Sequence, residues 1–355
     1  MNKGKLSKNE KLTLYGLVKY PNYNDREIAE KIGLKMSTVT AIKNRLKRNN
    51  VFKTIRVPIF QNLGCEIFEV SYAKLNLTTS QEARVRPGKK LIEDFAETFF
   101  AIFEPDKMFS MSVSKNFTES KKNIDRFMQV FSEHNFLEGD NYTFIHFPFE
   151  MTKIHNFFDM SNLLKRHFAL DLSLPEERDE ERNVKVIPDA FTKIQKKVYH
   201  GLVSYPDLLD NRIARKIGVT RQSVTKMRKR FEADGLIKSL RLANLKTLGF
   251  EILVLIHVKY NPKSPPSKRS DCKKIWDELP IFFNVSTTLE GVMLAAVKNY
   301  RDYQQFMNRL IKYYKENEII KEEPVTYLFS IEDMDMLKCH VYVPIVKKIF
   351  NIKEE

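Results

Sequence analysis

At 355 residues the chain has room for two or three ordinary domains, and 43% hydrophobic residues can supply a sizeable core. Its 60 Lys and Arg outnumber 45 Asp and Glu, and the resulting +15 charge favours a polyanionic partner such as nucleic acid or an anionic membrane. Three scattered cysteines (Cys65, Cys272, Cys339) without a C-x-x-C pair argue against a disulfide framework and for a reducing cytoplasm, while the polar, basic N-terminus and the lack of a long unbroken apolar run argue against export and membrane spanning.

The first elements are three helices. Leu6 to Tyr20 is helix-like and stops at Pro21; Asp25 to Ile32 forms a short second helix, with Asp25 as its expected N-cap and Gly33 as its left-handed C-terminal residue. A third helix from about Met36 to Arg48 carries Val39, Ile42 and Leu46 on one face. Its other face holds Ser37, Thr38, Thr40, Ala41, Lys43, Asn44, Arg45 and Lys47. Two helices joined by a Gly-containing turn, the second apolar behind and cationic in front, fit a helix-turn-helix entering the major groove. The alternating segment Val51 to Arg56 occupies the place of a wing, and Lys53 and Arg56 are expected to meet phosphates.

After this come a polar stretch from Asn76 to Lys90, read as a loop, and a phenylalanine-rich region from Phe95 to Phe168, read chiefly as core. Leu172 to Pro188 is charged, bounded by prolines and read as a solvated linker.

The whole pattern then recurs at an offset of 185. Gly16-Leu17-Val18 and Tyr20-Pro21 return as Gly201-Leu202-Val203 and Tyr205-Pro206, and about 20 of roughly 52 ungapped positions are identical. In the second copy Thr220 is a better N-cap than Lys35, and Val224, Met227 and Phe231 form the expected buried stripe. Arg221, Gln222, Ser223, Thr225, Lys226, Arg228, Lys229 and Arg230 are assigned to the DNA-facing side, with Lys238 and Arg241 on the second wing. Arg221 and Gln222 are the side chains suited to guanine and adenine edges. Charge follows the repeat: residues 1–60 carry a net +10 and 190–245 a net +9, leaving the remainder at −4. A merely solvated surface has no reason to segregate its charge in this way.

The run Ile213-Ala214-Arg215-Lys216-Ile217-Gly218-Val219, with Ser223-Val224-Thr225, Gly235-Leu236-Ile237 and Leu248-Gly249-Phe250, resembles the leucine-responsive/AsnC-like (feast/famine) transcription regulators. The following segments Leu279 to Ser286 and Val292 to Val297, and the helix through Phe306 and Leu310, look like that family's βαββαβ effector domain. The resemblance implies an α+β chain in tandem duplication: winged helix-turn-helix 1 over 1–62, an α/β effector-like module over 63–171, the linker 172–188, winged helix-turn-helix 2 over 189–247 and a second, ferredoxin-like effector-type module over 248–355. It departs from the family in carrying both copies in one chain and in lacking the family's Gly and Asp pattern near Glu290-Gly291 and Glu104-Pro105-Asp106. The apolar ends of the halves, Ile154 to Phe168 and Met334 to Phe350, have no counterpart in it.

Enzymatic chemistry finds little support in the sequence. The seven histidines show no metal-ligand spacing, Cys339-His340 is no ready nucleophile pair, and neither a P-loop nor a dinucleotide fingerprint occurs. A sirohaem-decarboxylase-like enzyme shares the implied fold, but it needs His and Arg in the effector-domain cleft, and no such cluster is expected there. The expectation is therefore a non-enzymatic, cytoplasmic regulator of prokaryotic, plausibly archaeal, type without cofactor or metal. Its partner is double-stranded DNA, engaged either by an intrachain pseudo-dimer or by a homodimer, with any small-molecule effector unidentified. A sirohaem-decarboxylase-like enzyme and a non-specific DNA-organising protein are the alternatives.

Overall fold

The computed structural model describes residues 6–78, 81–171, 191–265 and 272–352. The expected linker 172–188 lies outside the described residues. Among those described, helices and antiparallel strands combine into a mixed α+β architecture.

The chain begins with α1 (Lys8–Lys19), α2 (Asp25–Ile32) and α3 (Met36–Arg48). A capping box between Ser7 and Glu10 starts α1. At α2 the cap is Asn24, not the expected Asp25: its Oδ1 accepts from the backbone N–H of Arg26 and Glu27, and Asp25 is thereby free for another partner. Gly33 closes α2 at φ 69°, as the left-handed turn requires. The repeated glycine of the first helix has a packing reason. A Cβ on Gly16 would lie 2.9 Å from Ile32 Cγ2, and one on Gly201 2.9 Å from Ile217 Cγ2, so the close helix approach needs hydrogen there.

Strand β1 (Phe52–Pro58) follows, then a β-α-β-β-α-β series: β2 (Ile67–Leu75), α4 (Gln81–Asp94), β3 (Thr98–Glu104), β4 (Lys107–Ser114), α5 (Phe117–Glu133) and β5 (Leu137–Pro148). Helix α4 replaces part of the loop expected over 76–90. Its mid-helix Pro87 and Gly88 are the residues that read as breakers, and the flanking Gln81 to Arg86 and Lys89 to Asp94 are good helix formers. The half ends in β6 (Lys153–Asn156) and α6 (Ser161–His167).

The second half repeats the order as α7 (Lys193–Ser204), α8 (Asp210–Ile217), α9 (Arg221–Ala233), β7 (Ile237–Ala243), β8 (Ile252–Lys259), α10 (Cys272–Asp277), β9 (Ile281–Ser286), β10 (Glu290–Val297), α11 (Tyr300–Glu316), β11 (Val325–Ser330), β12 (Asp335–Cys339) and α12 (Val343–Phe350).

These parts are distributed crosswise. One compact unit gathers Met1–Thr54, Met151–Arg178 and Ser239–Glu332; the other gathers Ile55–Glu150, Asp179–Lys238 and Asp333–Glu355. In unit 1 the sheet order is β11-β8-β10-β9-β6, so the second half's four strands receive a fifth from the first half. Ile154 pairs with Val285 and Lys153 with Ser286. In unit 2 the order is β12-β3-β4-β2-β5, and the fifth strand comes from the second half, Cys339 opposite Phe100 and Asp335 opposite Phe103. The apolar ends without a family counterpart are thus the exchanged pieces: each leaves its own half and completes the sheet of the other.

Each sheet packs its helices over one apolar face. In unit 1 Ile256, Met293, Ala295 and Val258 meet Trp276, Phe306, Leu310 and Tyr314. In unit 2 Ala73, Ala101 and Met108 meet Ile92, Phe95, Phe127 and Phe131. Burial of Phe99, Phe100, Phe109, Phe131, Phe136 and Phe147 accounts for much of the phenylalanine crowding.

Candidate nucleic-acid interface

The cationic helices α3 and α9 are each held from behind by one aspartate. Asp25 accepts hydrogen bonds from Thr40 Oγ1 and Lys43 Nζ, both at 2.8 Å. Asp210, at the equivalent place, accepts from Thr225 Oγ1 at 2.8 Å and Arg228 Nε at 3.1 Å, while Arg228 also pairs with Glu232 at 3.0 Å. Burial alone would raise both aspartates, but the hydrogen bonds from the third helix outweigh it and hold each carboxyl below its ordinary range. Thr40, Lys43, Thr225 and Arg228 therefore differ from the expectation of a free reading face. Their polar ends are turned to the preceding helix, where they fix the pose of α3 and α9.

The rest of the two faces is open. Ser37, Ala41, Asn44, Arg45 and Lys47 are exposed on α3, with Thr38 half-buried; Arg221, Gln222, Lys226, Lys229 and Arg230 are exposed on α9. Arg45 bonds Glu10 at 2.8 Å and Arg230 bonds Asp234 at 3.3 Å, exposed pairs that solvent and a competing phosphate can displace at little cost. Thr220 caps α9 through the Ser223 N–H at 3.1 Å and also touches the Ser223 hydroxyl, whereas Lys35 gives α3 no side-chain cap. Val224 and Phe231 are buried as expected; Met227 is only half-buried.

The residues expected on the wings separate into two kinds. Lys53 and Lys238 are exposed. Arg56 is not: only 8% exposed, it donates from Nη1 to the Leu202 carbonyl at 3.1 Å, at the C-terminal end of α7. Arg241 makes the reciprocal bonds, to the carbonyls of Leu17 at 3.1 Å and Tyr20 at 3.4 Å behind α1. Both guanidinium groups satisfy helix-end carbonyls of the other half, where the partial negative charge of the helix terminus favours a cation. The expected phosphate contacts from Arg56 and Arg241 are corrected accordingly.

A second basic feature was not anticipated. Helix α6 carries Arg166 and His167 to the second half's sheet, beside Lys298 and Arg309, around a cavity of about 410 Å³ in unit 1. The expectation of no Arg/His cluster in the α/β modules fails here, because two of the four residues belong to the exchanged segment. The His167 ring lies 4.5 Å from that of Phe250, and its Nδ1 is buried with no hydrogen-bond partner. Burial, with Lys298 and Lys11 alongside, pushes His167 down to about 4. Against an unfolded value near 6.5, the folded chain holds the neutral ring; its stability should be undiminished above about pH 6.5 and fall as pH drops toward 4. Urea midpoints at pH 7 and pH 5 check this, and His167→Gln should flatten the difference. An unchanged slope in that variant would refute the assignment.

Among the described residues no group of three or more His, Cys, Asp or Glu is placed to hold a metal ion, and no helix is long and apolar enough to cross a membrane.

No family model matches the sequence, and no curated protein matches it. Among solved structures, the fold is similar to that of the siroheme decarboxylase NirDL, with a TM-score of 0.52 and 7% identity over 97% of this chain and 99% of that one. Shorter stretches are similar to AsnC of E. coli (TM-score 0.32, 12% identity, 41% of this chain and 93% of that one) and to LrpC of B. subtilis (0.32, 17%, 39% and 94%). At 7% identity the likeness to NirDL is one of fold.

Proposed function

We propose that the chain is a sequence-specific double-stranded DNA-binding transcription regulator, in which α1–α3 with β1 and α7–α9 with β7 act as two winged helix-turn-helix modules beside two ferredoxin-like modules. The observation that carries this reading is the pair of exposed cationic helices, each locked to its neighbour by the same Asp-Thr-cation bond at an offset of 185 residues. Such a lock spends part of the charge on pose and leaves the remainder, richest on α9, for a polyanion. Exposed Lys53 and Lys238 supply flanking phosphate contacts.

Selection from a random duplex pool tests the reading. One chain with two unlike reading helices should enrich a site of two unlike half-sites at fixed spacing, bound as an intrachain pseudo-dimer. A perfect palindrome would replace that arrangement with a homodimer, and no enrichment would leave a non-specific DNA-organising protein. Affinity should fall on the order of 10³–10⁵-fold between 50 and 200 mM salt if six to ten phosphates are neutralised. A flat salt response would sink the DNA reading.

The alternative, chemistry of the siroheme-decarboxylase type, draws on the full-length likeness of fold. The two readings part in an absorbance titration with an iron-bound uroporphyrin: the regulator reading expects no spectral change on adding protein, and a saturable band shift would favour the enzyme.

A further inference from the structure

We infer that the unit 1 cavity is a binding site for one small organic acid, a carboxylate or phosphate on an apolar body, and that the matching place in unit 2 is closed by the chain's own carboxylates. The inference is independent of the DNA reading.

The two places correspond residue by residue. Val113 N–H donates to the Glu97 carbonyl in unit 2 as Ala296 N–H donates to the Pro280 carbonyl in unit 1, at 3.1 and 3.2 Å. Val346 bonds back to Tyr342 as Leu164 does to Met160. Those alignments set Lys348 opposite Arg166, Glu97 opposite Pro280 and Glu119 opposite Asp302. In unit 2 Lys348 is held by Glu97, itself only 6% exposed, and by Glu119 at 3.2 Å, so the cation is neutralised internally. In unit 1 the buried carboxylate is replaced by Pro280, and the carboxylate that acts on Arg166, Glu278, is already engaged by Arg309.

What remains around the cavity is an unbalanced positive field. Arg309 is paired with Glu278, and Asp302 is the one carboxylate in the wall, against Arg166, Lys298 and Arg309. Desolvation, with the nearby Arg309 adding to it, lowers Arg166, and the opposing pull of Glu278 does not offset them. Phe250, Leu279 and Phe306 line the cavity with apolar surface, and His167 is among its lining residues. A cavity of this volume with convergent cations and apolar walls suits a small amphiphilic anion, whose acid group a guanidinium takes in a planar, two-point contact.

Calorimetric titration of the full chain with benzoate and with phenyl phosphate tests this, followed in parallel by the fluorescence of Trp276, the chain's single tryptophan, which lies three residues before Leu279. One site per chain is expected. Arg166→Glu and Lys298→Glu, both at exposed positions, should each weaken binding tenfold or more, with duplex DNA affinity and circular dichroism unchanged. Lys115→Gln and Lys348→Gln, the unit 2 counterparts, should leave it unaltered. Absence of binding, two equal sites, indifference to Arg166→Glu and Lys298→Glu, or loss on Arg221→Glu instead would each overturn the assignment. So would binding of a porphyrin carboxylate with neither small acid bound, an outcome that favours tetrapyrrole chemistry in this cavity.

Discussion

Arg221→Ala should cost about 1–3 kcal/mol at the preferred DNA site and relax base choice at one position, with Gln222→Ala acting likewise at a neighbouring base. Both side chains are exposed on the first turn of α9, where the Thr220 cap fixes the helix start and the Asp210 bonds fix its pose. A long planar side chain on a fixed backbone loses little further freedom when it makes a two-point base contact. The corresponding residues of α3 are Met36 and Ser37, one unable to hydrogen-bond a base edge and the other short-reached. Ser37→Ala should therefore cost less than Arg221→Ala. Competition binding with single-base variants of the selected site measures both, and a larger loss from Ser37→Ala would reverse the ranking of the helices.

Phe231→Ala should destabilise the protein by about 3–5 kcal/mol, the range for deleting a buried aromatic ring. Phe231 is 2% exposed and packs against Phe191 and Tyr199 with centroids 5.6 and 5.3 Å away; Tyr199 in turn donates to the Leu236 carbonyl at 2.7 Å. Removing the ring leaves a void under α9 and loosens the hydroxyl contact that ties α7 to the start of β7. Urea denaturation should show the loss as a lower midpoint with little change in slope. A cost below about 1 kcal/mol would mean that the site collapses around the missing ring.

Periodicity and capping residues located much of the local structure. Asp25 to Ile32 and Met36 to Arg48 are helices over the expected spans because their apolar spacing, their glycine stop and their polar flanks all agree. The alternation of Val51 to Arg56 likewise marked a strand, but it could not tell which surface the arginine would meet. A cation is equally suited to a phosphate and to the carbonyls at a helix end, and only the tertiary fold puts Leu202 beside Arg56 and Leu17 beside Arg241. The aspartate lock was within reach of the sequence. Asp25, Thr40 and Lys43 recur as Asp210, Thr225 and Arg228, a spacing kept at the offset of 185 residues that a solvent-facing set would not need. The exchanged end segments were beyond local reading, since their partners lie in the opposite half and hydrophobic pattern specifies burial without naming the neighbour. The same limit hid the Arg166 and His167 cluster.

The crosswise assignment of segments also sets when the molecule can be finished during synthesis. Unit 1 draws its first helices from residues before 55 and its last strand, β11, from Val325–Ser330, so nearly the whole polypeptide must leave the ribosome before that sheet is complete. Unit 2 waits longer, for β12 and α12. Until then the strand edge of β3 stands uncovered, the kind of edge that invites pairing with another nascent chain. Long-range pairing of this sort slows folding, because the entropy of closing large loops is lost before the contacts that compensate it form. A half cut out between residues 171 and 191 would retain four strands of its sheet and lose the fifth, together with the helix that follows it, so one half alone cannot complete either five-stranded sheet.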